Sequence, residues 1–321
     1  MTADPITIAC NLCQSRDAEP VRHRDRHGKP LRAVICRQCG LVWTDPRPSA
    51  EQVREFYRSQ YRVEYKGIFE PQRKHTLRAG RAALERLGRL TSLLRPGARL
   101  LDVGAGGGDV VYLARAMGYD ASGFEPNQGY ADHAARVLKV PVTQGVYQDA
   151  RIPAASQDAV TLFHTAEHLD DPFDAMTTVR EWLVPGGLLV IEVPSVEATC
   201  QQPHQQFHRG HLYHFNLVTL EQMGRCAGYT VVTSGTSPDG GNIWVVYRRS
   251  EDPPAPRAGI PGNYQRVRRI LDGHTSLTHA FSRYPYTRPA QKLLQRIREW
   301  AFIRRYASSA EVLAALAPRR A

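Results

Sequence analysis

Leu100-Leu101-Asp102-Val103-Gly104-Ala105-Gly106-Gly107-Gly108 is the stretch on which the reading of this 321-residue chain turns. A short, mostly apolar run passes directly into five small residues. The pattern that follows predicts a helix over 109–117. Glycine serves where backbone must turn at positive φ and approach a ligand without a Cβ in the way. The helix start adds N–H groups that have no intrahelical partner. An adenosine-containing cofactor suits such a turn. The dinucleotide pattern GxGxxG needs its third glycine where helix packs on strand. That position here is Asp109, so the dinucleotide pattern fails by one residue.

Outward from the loop, residues 98–249 alternate strand and helix. Strands are expected at 99–103, 119–124, 140–143, 158–163, 188–193, 229–234 and 242–247, with helices between the early ones, such as 109–117 and 130–138. This is an α/β class, a parallel sheet with helices on both faces. No internal repeat occurs. Glu125 ends the second strand in Gly123-Phe124-Glu125-Pro126-Asn127, about 20 residues beyond the loop, where a carboxylate can accept both ribose hydroxyls. It supports adenosine binding without choosing the cofactor.

Residues 1–48 read as a separate small unit. Cys10-Asn11-Leu12-Cys13 is followed, after 22 intervening residues, by Cys36-Arg37-Gln38-Cys39. A turn at 26–30 and a strand at 31–35 make a hairpin with one CxxC on each side. Two such turns supply four thiolates for tetrahedral zinc, with no coordination position left open, so a structural role is expected. Redox or disulfide pairs are the other reading. The start Met-Thr-Ala-Asp-Pro lacks a basic-then-apolar leader, which favours metal over disulfides and a cytoplasmic setting. Cys200 and Cys226 are isolated. No apolar run reaches the roughly 18 residues of a membrane span.

The remaining organisation is a helical lead-in at 49–97, a cofactor domain at 98–250 and a basic helical C-terminal extension at 251–321. Asp45-Pro46-Arg47-Pro48 is a stiff connector, and Ser49 caps a helix reaching Tyr57. Leucines at 77, 84, 87, 90, 93 and 94 carry a second helix to Arg95-Pro96-Gly97. After a Pro-rich link at 251–262, helices are expected at 290–306 and 309–316, serving as a cap, an oligomerisation element or a partner surface. The net charge is +11, yet residues 98–250 hold ten Lys/Arg against sixteen Asp/Glu. The positive charge therefore lies in the flanks. It suits an anionic partner or simply solvated helix faces.

Asp102-x-Gly104-x-Gly106-x-Gly108 fits the (D/E)xGxGxG pattern of S-adenosylmethionine (SAM) sites. Thr161-Leu-Phe-His164-Thr-Ala-Glu167-His168-Leu-Asp-Asp-Pro172 and Leu183-Val-Pro185-Gly186-Gly187-Leu-Leu-Val add two further segments. On these markers, residues 98–249 resemble the class I SAM-dependent methyltransferases. The resemblance implies a Rossmann-like, seven-stranded SAM domain carrying a zinc ribbon before it and a helical extension after it. It implies that Asp102, Gly104 and Gly106 line the methionine side and that Glu125 holds the ribose. Gln148 or Asp149 lies by the adenine, and Phe163 and His164 close the pocket. Ala105 and Pro126 belong to the same cofactor-binding set.

The acceptor is read from histidines. An acidic hydroxyl or an amine needs little beyond alignment with the S–CH3 bond, whereas an alcohol or carbon acid needs a base, for which imidazole is suited. His204, His208, His211 and His214 fall in one stretch after the fifth strand. They read as a general base at His211, as a catalytic metal site of two or three histidines, or as structural residues. Glu192 is near enough in sequence to join a metal or orient an imidazole. The ribbon placed ahead of a SAM domain is similar to sugar C-methyltransferases and related natural-product enzymes. Their Tyr-x-Glu-His-x-x-Tyr-Phe segment matches His208-Arg209-Gly210-His211-Leu212-Tyr213-His214-Phe215. The base histidine maps onto His211, with His208 and Gly210 replacing the tyrosine and glutamate. Those departures, and the missing second α/β domain, favour O- or N-methylation of a small polar metabolite, anionic ones included, over C-methylation. Glu167 and His168 are further catalytic candidates, Glu167 being otherwise a packing residue beside the cofactor.

The rival reading is an RNA methyltransferase that uses the ribbon and basic flanks as its nucleic-acid surface. The ribbon is only mildly basic and has no aromatic stacking platform, and Phe163-His164-Thr165-Ala166 is not an (N/D)PPY-type tetrapeptide.

Overall fold

The computed structural model describes residues 5–56 and 71–318. Residues 57–70 of the expected lead-in, Tyr57 among them, lie outside the described residues, as do the extreme termini. The strands are β1 Ala18–Arg24, β2 Pro30–Cys36, β3 Val42–Thr44, β4 Arg99–Val103, β5 Asp120–Glu125, β6 Val142–Gln144, β7 Gln157–Phe163, β8 Leu183–Pro194, β9 Tyr213–His214, β10 Tyr229–Thr236 and β11 Asn242–Arg249. The helices are α1 Ala50–Glu55, α2 Arg73–Gly88, α3 Asp109–Ala116, α4 Gln128–His133, α5 Pro172–Trp182, α6 Leu217–Cys226, α7 Asn263–Gly273, α8 Ser276–Ala280, α9 Tyr284–Ile303 and α10 Ser309–Leu316. None of them is long and apolar enough to cross a membrane.

A seven-stranded sheet runs in the order β10-β11-β8-β7-β4-β5-β6. β4 pairs in parallel with β5 and β7, and β5 with β6. The sheet is not parallel throughout, as the strand–helix alternation suggested. β11 runs antiparallel to both β8 and β10. The β10–β11 direction follows from the tight turn at 237–241, closed by Ser237 N–H on the Asn242 carbonyl at 2.8 Å. So short a connection can join only antiparallel strands. β8 begins at Leu183, ahead of the strand expected at 188–193, and so takes in Pro185-Gly186-Gly187.

The chain divides into two compact units, neither of them contiguous. The first holds Met1–Val53, Leu162–Glu181 and Leu188–Thr287; the second holds Arg54–Thr161, Trp182–Gly187 and Arg288–Ala321. In the first unit the N-terminal hairpin becomes a four-stranded sheet, β1-β2-β3-β9, whose last strand comes from the histidine-rich segment. Its turn is built by Asp25, whose carboxylate accepts from His27 and Lys29 N–H at 2.9 and 2.8 Å. Its core packs Leu31, Ile35 and Val42 with Val196, Phe207 and Val267. Val267 lies on α7, so the first part of the C-terminal extension belongs with the ribbon.

The second unit holds β4, α3, β5, α4 and β6. Asn127 caps α4 by accepting from Tyr130 N–H, and Asp109 places a negative charge in the first turn of α3. Residues 134–138 continue α4 as a π-helical turn. α10 seats Val312 and Leu313 in this core. A Cβ at Gly80 of α2 would stand 2.7 Å from Leu313 Cδ2. Arg78 on α2 grips the buried Glu299 of α9 with two bonds of 2.7 and 2.6 Å. Residues 288–318 of the extension are therefore a docked part of this unit.

Candidate active site

In the second unit β4 ends and the chain turns back through Gly104, Gly106 and Gly108, with φ of 76°, 54° and 86°. At Gly108 a Cβ would also stand 2.8 Å from the Ala134 Cβ, so this position demands glycine on two counts. The turn is pinned to β5: Gly104 and Ala105 N–H both donate to the Phe124 carbonyl at 2.9 and 3.0 Å. Gly106 N–H donates to Glu125 Oε2 at 2.9 Å, and Asn127 N–H to Oε1 at 3.3 Å. Glu125 is buried at the end of β5. The Pro126 carbonyl accepts from Gln144. Gln148 and Asp149 sit exposed in the loop after β6. The structure thus gathers Asp102, Gly104, Ala105, Gly106, Glu125 and Pro126 around one turn.

Asp102 is 3% exposed and accepts a 2.6 Å hydrogen bond from Thr161 Oγ1. Burial pushes its carboxyl up to about 7, against the Thr161 bond, which favours ionisation. Thr161 was quoted only as part of a longer segment. Nothing in its own sequence context marks it as the partner of Asp102.

Phe163 and His164 fall in the first unit. His164 holds the left-handed φ of 53°, uncommon for a residue with a Cβ, while its N–H donates to the Glu192 carbonyl at 2.8 Å. Its ring bridges two carboxylates, with Nδ1 3.4 Å from Glu167 Oε1 and Nε2 3.5 Å from Glu192 Oε1. Glu192 does orient an imidazole, but that of His164. The same unit assembles Glu167, His168, His208, His211 and His214. Adjacent rings stand 4.9 Å (His168–His211), 3.7 Å (His208–His211) and 6.0 Å (His211–His214) apart. His204 stands apart, exposed, on a one-turn helix at Pro203–Gln205. Burial depresses His208 to about 2, His214 to about 3 and His211 well below the usual imidazole range. Charge from neighbouring imidazoles adds to this at His208 and His211. All three are neutral at physiological pH. Glu167 stays below its usual range although buried, because His168 and His164 offset the desolvation.

Cys10, Cys13, Cys36 and Cys39 bring their sulfurs within 4.8 Å of one another, with Cys10–Cys39 and Cys13–Cys36 each at 3.4 Å. No disulfide forms. The hydrogen bond from the Cys10 thiol is the largest cause that holds Cys13 down to about 7, with Cys36 opposing it and Cys39 adding to it.

A family model described as a methyltransferase domain matches residues 71–234. The chain belongs to the methyltransferase-domain family. It is a SAM-dependent methyltransferase with a Rossmann-like sheet. No curated protein matches the chain. Among solved structures it is similar to a SAM-dependent methyltransferase from Thermotoga maritima: 19% identity, 62% of this chain and 100% of that one, TM-score 0.47. It is similar to a chain of the complex between the Haloferax volcanii Trm112 methyltransferase activator and a methyltransferase: 14% identity, 56% and 98% coverage, TM-score 0.47. A third is an S-adenosylmethionine dependent methyltransferase from Mesorhizobium loti: 16% identity, 52% and 98% coverage, TM-score 0.44.

Proposed function

We propose that this methyltransferase moves the SAM methyl group to a hydroxyl or amine of a small polar metabolite, such as a sugar, nucleotide-sugar or natural-product intermediate, in preference to carbon. The observation that carries this is the cluster of histidines beside Glu167, in which the neutral His211 lies between His168 and His208, its ring 4.9 and 3.7 Å from theirs. Only an unprotonated imidazole can take a proton. His211 removes the acceptor's proton as the new bond to the methyl carbon forms. A bound SAM would supply that methyl and keep the electron pair of the broken carbon–sulfur bond on its sulfur. His168, His208 and Glu167 hold and orient that ring.

The cofactor, when bound, supplies a methyl already activated by its sulfonium. The residues fit it: Gly104, Ala105 and Gly106 present a bare, sharply turned backbone, and Asp102 is a buried carboxylate short of a cation. Glu125 and Pro126 serve the ribose, and Gln148 or Asp149 the adenine. The four cysteines fit tetrahedral zinc, whose thiolate bonds of about 2.3 Å place sulfurs about 3.8 Å apart. We assign that zinc a structural role.

The test is a panel of hydroxyl and amine acceptors with labelled SAM. His211→Ala should lower turnover about 100-fold or more while SAM affinity stays within twofold. Unchanged turnover would move the base to His168 or His208.

A further inference from the structure

Glu167, His168 and His211 bring a carboxylate oxygen and two ring nitrogens within 4.8 Å of one another, in the unit that also carries the four cysteines. Glu167 is 1% exposed, and neither of its carboxylate oxygens has a donor at full hydrogen-bond geometry among the described residues. A buried charge without a donor is costly unless positive charge meets it. The nearest ring nitrogens, of His164 and His168, stand 3.4 and 3.8 Å from Oε1. His168 Nδ1 lies 2.6 Å from the Gly210 carbonyl. A carbonyl can only accept, so Nδ1 carries a proton; Nε2 lies on the Glu167 side and presents a lone pair there when the ring is neutral. A ring N–H held by a backbone carbonyl is how proteins aim an imidazole at a metal. The His211 ring meets that of His168 edge-on, at 67°.

We propose that Glu167, His168 Nε2 and a ring nitrogen of His211 form a second metal site, distinct from the four cysteines. It would bind a divalent first-row transition ion and leave positions open for an oxygen donor of the acceptor. Two neutral imidazoles and one carboxylate suit Zn2+, Fe2+ or Co2+ rather than Mg2+, which keeps to oxygen ligands. Bonds of about 2.0–2.2 Å require the three groups to draw in by less than about 1 Å each. The inference rests on the methyl-transfer reading but changes one part in it. With the ion bound, His211 gives its lone pair to the metal, and the hydroxyl of a coordinated acceptor, made more acidic by the ion, gives its proton to water. The acceptor class narrows accordingly to molecules with a hydroxyl able to coordinate.

Full-length protein carrying one zinc per chain is titrated with Co2+ and followed by absorption and calorimetry. One Co2+ per chain should bind with ligand-field bands and without thiolate-to-metal charge transfer. Glu167→Gln and His211→Ala should each weaken that binding at least tenfold, with zinc content and circular dichroism unchanged. No Co2+ uptake by wild-type protein would overturn the site, and so would equal affinity in both variants. The readout is independent of turnover. Failure here leaves methyl transfer standing, and loss of methyl transfer with Co2+ bound would count against the function alone.

Discussion

The Asp102 carboxyl makes SAM binding pH-dependent in a calculable way. Asp102 is buried and accepts a hydrogen bond from Thr161, and burial raises its folded value to about 7. The cofactor's amino group is charged below about pH 7.7, and the proposed methionine-side placement pairs it with the ionised carboxylate. If only the ionised form binds tightly, the apparent dissociation constant scales with one plus the ratio of protonated to ionised Asp102. That quantity is about 2 at pH 7 and about 33 at pH 5.5, a weakening of roughly 16-fold, or about 1.6 kcal/mol. The direction is reversed for the cofactor-free fold. A carboxyl whose folded value lies above its unfolded value of about 3.9 stabilises the fold while protonated, and that contribution is lost as pH rises through 7. Its upper bound is about 4 kcal/mol. Calorimetric SAM titrations at pH 5.5, 6, 6.5 and 7 read the effect directly. Asp102→Asn should bind weakly and flatten the profile. A flat wild-type profile, or the same slope in the variant, would refute the pairing of Asp102 with the cofactor.

Other outcomes follow from single contacts. At Gly123, an added Cβ would sit 2.7 Å from the Asp102 carbonyl oxygen and 2.8 Å from the Ala105 Cβ; Gly123→Ala should cost about 1–3 kcal/mol in denaturant unfolding and weaken SAM. Glu125→Ala removes the acceptor of Gly106 N–H and should weaken SAM at least tenfold by calorimetry, with little change in fold by circular dichroism. Arg78→Met leaves Glu299 with Gln295 as its remaining hydrogen-bond donor and should destabilise by about 1–3 kcal/mol, seen as a lower thermal midpoint. Chelation of the zinc should release about one ion per chain and open the β1–β3 sheet to limited proteolysis.

What the sequence made legible was local. The glycine loop, Glu125 and the seven strand positions follow from patterns a few residues long, and the hairpin with its two CxxC turns does too. The antiparallel placement of β11 was not legible, because pairing direction depends on which strand receives it. The two-residue β9 pairs with β3 across more than 160 positions of chain, and so short a strand has no periodicity to read. Thr161 looks like any interior strand residue until β7 is laid beside β4. The histidine segment announced its residues but not its partners. Glu192 was expected to serve a histidine of that segment and serves His164 instead.

That unreadable strand pairing bears on what the ribbon is for. Val42 and Trp43 pair with His214 and Tyr213. Thr44 N–H donates to the Leu212 carbonyl and Thr44 Oγ1 to that of His211, while Leu212 N–H donates to the Glu167 carbonyl. The backbone that carries His211 is therefore clamped between the ribbon and the Glu167 turn. Asn11, inside the first CxxC, reaches Asp171 Oδ1 at 2.8 Å and accepts from Phe173 N–H at 3.0 Å. A ribbon acting only as a nucleic-acid surface has no need of such bonds. A ribbon whose folding sets the spacing of Glu167, His168 and His211 needs all of them. A zinc held by the four cysteines would then act at a distance on the histidine cluster. Loss of zinc should change the histidine cluster, visible as altered imidazole NMR shifts, even where the glycine loop still binds SAM.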